Sequence, residues 1–113
     1  MLWVFLLAGC GEDTEYPLIL PGAAEPSSTM YNERGIDYFH DKDYKEAVIA
    51  FVQARTADPH AGEIHFNLAL TRLKLGQEDK ARESFKLAVK YSYDNPRIIK
   101  SPLLNRYVNP GKK

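Results

Sequence analysis

Cysteine is nearly missing from this chain: Cys10 is the only one, so no disulfide can close within it. Long apolar runs are missing too. The uncharged stretch Met1 to Cys10, MLWVFLLAGC, falls far short of the about 20 residues that a membrane-spanning helix needs. Net charge is formally zero, with 15 Lys/Arg against 15 Asp/Glu, and no basic stretch is interleaved with aromatics, so the footprint of a nucleic-acid partner is lacking. The three histidines, His40, His60 and His65, include no pair at the i, i+4 spacing of a helical metal site. There is no glycine-rich phosphate loop, and Ser27 and Ser28 have no base nearby in sequence. No metal, cofactor or catalytic residue is expected.

What is there suits one small folded body. The 113 residues leave room for a single domain, and 44% hydrophobic beside 27% charged residues fits a soluble core rather than a disordered chain. The charges are unevenly placed. Before residue 28 they are Glu12, Asp13, Glu15 and Glu25, all acidic, whereas from Gly62 onward eleven Lys/Arg face five Asp/Glu.

Between Ser28 and Asn95 the sequence repeats itself. A shift of about 34 residues lays Gly35 on Ala69, Ala47 on Ala81, Phe51 on Phe85 and Ala54 on Ala88. Each copy orders its residues alike: a small residue where one helix meets the next, an alanine, an aromatic one turn on, and a second alanine. This pattern resembles the tetratricopeptide repeat. Departures are Tyr31 and His65 at the usual tryptophan, Arg34 at a leucine, Arg72 at a tyrosine and Tyr93 at the proline. The resemblance implies an all-α fold of two helix-turn-helix hairpins, residues 28–61 and 62–95, which binds proteins or peptides. Repeat proteins generally need about three or more units for stability. The segment 96–113 is therefore expected to hold a short capping helix, with Ile98, Ile99, Leu103 and Leu104 covering the open edge.

The amino-terminal stretch ends Leu7-Ala8-Gly9-Cys10, which resembles the lipobox of a bacterial lipoprotein signal peptide. That resemblance implies that residues 1–9 are removed and that Cys10 carries lipid, holding the chain at a membrane of the bacterial cell envelope, facing the periplasm or exterior. Two or more acyl chains anchor stably where one does not. The other reading is an apolar strand or helix with one buried cysteine. Residues 10–27, broken by Pro17, Pro21, Gly22 and Pro26, read as a flexible tether. Within it Tyr16-Pro17-Leu18-Ile19-Leu20 is apolar for a linker, and packing on the repeats or on a partner would explain that.

Local signals set the helices. Ser27 or Ser28 is expected to cap the first, which runs to about His40. Asp43 with Glu46 forms a capping box for the second, which Asp58-Pro59 ends. A third spans about Ala61 to Leu75 and stops at Gly76, and a fourth follows at once. Asp94-Asn95-Pro96 breaks the chain, and Ser101-Pro102 starts a last short helix.

In the family, the first helices of the repeats line an inner groove. Here those positions carry Asn32, Ile36, Phe39 and His40, then Glu63, Phe66, Asn67, Leu70 and Lys74. The family's two-carboxylate clamp uses lysines, asparagines and an arginine. Asn67 and Arg97 fall at its positions, while Asn32, Ile36 and Ser101 replace the rest. An apolar groove of Ile36, Phe39, Phe66 and Leu70 favours an apolar peptide or helix, or half of these residues are core. Arg82, Lys86 and Lys90 form a stripe at i, i+4 and i+8, either a solvated face or an attraction to anionic lipid or an acidic partner. The expected function is a docking module tethered to a bacterial membrane, an accessory or assembly subunit of an envelope complex. The alternative is self-association of acidic and basic halves into a scaffold.

Overall fold

The structure is a computed structural model that describes residues 15–109. Cys10 with the apolar run before it lies outside the described residues, as does the Lys112-Lys113 tail. Among the described residues all regular structure is helical: α1 Pro26–His40, α2 Tyr44–Ala57, α3 Gly62–Lys74, α4 Glu78–Lys90, α5 Pro96–Ile99 and α6 Pro102–Val108. The short connections 41–43 and 75–77 fold α1 back on α2 and α3 back on α4, and α2 packs on α3 to join the hairpins. None of these helices is long and apolar enough to cross a membrane.

The 34-residue register is also the register of the core. Gly35 is buried, and Ala69, Ala47, Ala81, Phe51, Phe85, Ala54 and Ala88 are all fully buried. Small residues let the backbones close up, and the aromatic of each second helix fills the space between. A Cβ at Gly35 would stand 2.5 Å from the Phe51 ring, so only hydrogen fits there without displacing it. The far edge is covered as the cap requires: Ile98, Leu103 and Leu104 are buried, Tyr107 stacks on Phe85 at 5.7 Å, and α6 lies against α4. Ile99 is a correction to the expected covering set. It follows Ile98 by one helical step of about 100°, which turns it outward, and it is 37% exposed.

Helix ends follow some of the local signals and correct others. The first helix begins at Pro26, ahead of the serines, and its cap is Glu25, whose carboxylate accepts from Ser28 N–H at 2.7 Å. Proline at the first position needs no amide partner, and Ser28 turns inward to donate its hydroxyl to the Glu25 carbonyl. The Asp43–Glu46 capping box does not form: Asp43 occupies the cap position without a side-chain bond. Its N–H, which Glu46 was to accept, already donates to the Tyr38 carbonyl at 2.9 Å. Gly76 adopts φ 76 and ends the third helix as expected. Tyr93 and Asp94 turn left-handed before Asn95, whose side chain caps α5. Ser101 Oγ accepts from Leu104 N–H at 3.0 Å, with Pro102 at the first position of α6.

His65, at the family's tryptophan position, is buried, and its Nε2 lies 2.8 Å from the Pro59 carbonyl. The neutral ring donates there, and Nδ1 is buried without a partner. Burial holds its pKa below the ordinary 6.5, assisted by Arg55 and His60 and opposed by the Pro59 bond and Asp58. The unfolded chain therefore takes up the proton first. This contribution to stability is whole above about pH 6.5 and is lost as pH falls below it towards the lower folded value. The melting temperature is expected to drop between about pH 7 and 5, and His65→Gln should flatten that slope. An unchanged slope in the variant would rule His65 out as its source.

Candidate functional site

The stretch expected as a tether is described from Glu15 onward, and there it runs without helix or strand across α1 and α3. Its side chains alternate. Leu18 and Leu20 are buried, while Tyr16 is 58% and Ile19 73% exposed. Leu18 joins the core cluster that holds Phe39, Phe66, Leu70 and Leu104. Leu20 meets Ala54, Ala61 and Ile64 in a second cluster, flanked by Tyr31.

Two asparagines, one from each hairpin, grip the backbone of Leu18. Asn67 Oδ1 accepts from Leu18 N–H at 2.7 Å, and the Nδ2 groups of Asn67 and Asn32 both donate to the Leu18 carbonyl at 2.9 Å. Asn67 Nδ2 also donates to Asn32 Oδ1 at 2.8 Å, and both side chains are fully buried. A carboxamide can do this because it offers donor and acceptor on one planar group, matching the N–H and C=O of a single extended residue. Both carboxamides are buried, so their polar groups need partners within the protein, and the main chain of Leu18 supplies them.

The strap is fixed a second time at Glu15. One carboxylate oxygen accepts from Ser101 Oγ at 2.6 Å and the other from Leu103 N–H at 2.9 Å. Ordering six residues costs about 1–2 kcal/mol each. Burying two leucines returns about 1.5–3 kcal/mol apiece, and the five hydrogen bonds to Leu18 and Glu15 about 1 kcal/mol each. These terms nearly cancel, so the strap is held by a margin of about a few kcal/mol at most.

The residues expected to line a groove converge on this strap. Asn32 and Asn67 bond it, Phe39, Phe66 and Leu70 form its floor, and Ile36 is half-buried against the same cluster. His40 is exposed and meets the Tyr16 ring at 5.8 Å. Lys74 borders a cavity of about 210 Å³ that Glu15 also lines. Arg97, also exposed, lines a cleft of about 390 Å³ beside Tyr16, Pro17 and Leu18. Glu63 stands apart, turned to accept from Asn95 Nδ2 at 2.7 Å. Asn32 and Ile36 stand where the two-carboxylate clamp has a lysine and an asparagine, and Ser101, at its second basic position, donates its hydroxyl to Glu15 instead. Residues not assigned to the site from sequence are Glu15, Leu18, Ser101 and Leu103. The signal for the strap was the apolar Tyr16–Leu20 stretch inside a proline-rich linker.

Elsewhere the surface includes exposed large apolar side chains, among them Met30, Ile49 and Tyr93. Arg82 and Lys86 pair with Asp79 and Glu83 at 3.6 and 3.7 Å on an exposed face, which fits a solvated stripe. Among the described residues no group of three His, Cys, Asp or Glu side chains could hold a metal ion.

The model of the Tetratricopeptide repeat family matches residues 38–100. No curated protein and no solved structure matches the chain. The match covers more than half of the 113 residues, and the helix pairs, their 34-residue register and the buried alanine and phenylalanine positions agree with it. The chain belongs to the tetratricopeptide repeat family, whose fold mediates contacts between proteins.

Proposed function

We propose that this chain is a docking module, held at a bacterial envelope membrane by lipid on Cys10, whose concave groove takes an extended segment of a partner protein. The observation that carries the reading is the buried Asn32–Asn67 pair. It binds the main chain of an extended residue while Phe39, Phe66 and Leu70 receive the side chain, a division that gives affinity through the backbone and selectivity through the pocket. The role that suits such a module is an accessory or assembly subunit of a larger membrane complex.

Photo-crosslinkers placed in cells at His40 and Arg97, on the groove rims, should yield a discrete adduct. One at Glu83, exposed on α4, should not. Adducts from Glu83 alone, or equally from all three, would move the docking surface off the groove.

The membrane attachment has its own test. If Leu7 to Cys10 is processed as a lipobox, the protein recovered from bacteria begins at Cys10, carries the mass of acyl chains and partitions with membranes. Cys10→Ser removes the acceptor thiol, and the product should become unprocessed or soluble. Intact mass spectrometry distinguishes the outcomes. An unmodified chain beginning at Met1 would remove the envelope assignment and leave the docking reading untouched.

A further inference from the structure

We infer that Glu15–Leu20 is a displaceable occupant of the groove, and that the partner segment replacing it repeats its chemistry: an acidic residue, a leucine three positions on, and an aliphatic residue two after that. This rests on the reading of the groove as the docking site.

The strap is seated as a ligand is seated. No main-chain group of residues 15–20 takes part in a helix or sheet, and among the described residues the only ones bonded are the N–H and C=O of Leu18, held by side chains. Its fit lies in three side chains, Glu15, Leu18 and Leu20. Pro17 has no amide to offer, and Tyr16 and Ile19 face outward. The strap joins α1 through the turn at Pro21–Ala24, whose first three residues are exposed, so it can leave without unwinding a helix. The contacts of α1 with α2, α2 with α3 and α3 with α4 are made directly and do not pass through it.

The asparagines favour exchange over simple opening. If the strap left and nothing replaced it, Asn32 and Asn67 would lose their main-chain partners in an apolar floor. A second extended segment restores those bonds at once. The acidic requirement comes from Ser101 Oγ and Leu103 N–H, which both hold the Glu15 carboxylate; Lys74 and Arg106 border the same cavity and outnumber its one other acidic residue, Glu78. The leucine spacing comes from the two buried positions at alternate residues of an extended chain.

The probe is a fluorescein-labelled hexapeptide, Glu-Tyr-Pro-Leu-Ile-Leu, titrated into the full chain and into the full-chain double variant Glu15→Ala/Leu18→Ala. The intact strap competes for the groove, so the double variant should bind the probe about tenfold or more tightly than the wild type does. A probe with aspartate in place of its first leucine should bind neither. In the wild type, saturating probe should speed hydrogen exchange of the Leu18 N–H and leave the Phe66 and Phe85 amides protected. A Leu18 amide that stays as protected as that of Phe85 under saturating probe overturns the inference, as does a double variant that loses its helical circular dichroism, because the strap is then a fixed part of the fold. Leu18 exchange that slows with protein concentration, together with a dimer in light scattering, would make the occupant a second copy of this chain and overturn the separate partner. Groove-rim crosslinks without probe displacement would keep groove docking and remove this inference alone.

Discussion

Replacing Phe51 or Phe85 by alanine is expected to lower stability by about 3–5 kcal/mol, the loss typical of a large aromatic truncated in a packed core. Neither ring has any exposed surface. Phe51 lies against the backbone of α1 at Gly35. Phe85 meets Phe66 edge to face at 5.9 Å and Tyr107 in a stack at 5.7 Å, so its loss strips contacts from the cap as well as from its own hairpin. A domain of this size commonly has about 5–15 kcal/mol to lose. The melting temperature of either variant should fall by about 10 °C or more. If one of them melts with the wild type, the two hairpins do not share the register described above.

That register was legible because its carriers are few and chemically distinct. Alanine and glycine admit a neighbouring backbone, phenylalanine fills the gap beside them, and both recur at one spacing. The groove was half legible: Asn32, Phe39, Phe66, Asn67 and Leu70 could be placed on its wall from their repeat positions alone. What fills it could not be read in the same way. The bonds from Asn32 and Asn67 to Leu18 span 14 and 49 residues, and those from Ser101 and Leu103 to Glu15 span 86 and 88. No local periodicity encodes such pairings. The only trace was composition, five residues too apolar for a tether. The failed capping box has the same kind of cause, since Asp43 and Glu46 have the right spacing but Tyr38, in the preceding helix, takes the amide that the box requires.

Ending the chain after Asn95 should leave a protein that aggregates or is partly molten, because the edge of the second hairpin then faces water. The deleted part contributes Ile98, Leu103 and Leu104 to the core, and burial of each is worth about 1.5–3 kcal/mol. It also removes Tyr107 from the Phe85 face, where Arg82 lies over the Tyr107 ring at 5.4 Å. With Ser101 and Leu103 gone, Glu15 loses its two hydrogen bonds, so the strap loosens at the same stroke. The point variants separate capping from mere length. Ile98→Ala, at a fully buried position, should cost about 2–5 kcal/mol. Ile99→Ala, at the adjacent exposed position, should cost about 1 kcal/mol or less. Urea melts of the three proteins, with dye binding to report exposed apolar surface, provide the measurement. A truncation at Asn95 that stays monomeric and melts cooperatively at the wild-type midpoint would show that two hairpins and a strap are enough, and that α5 and α6 serve another purpose than covering the edge.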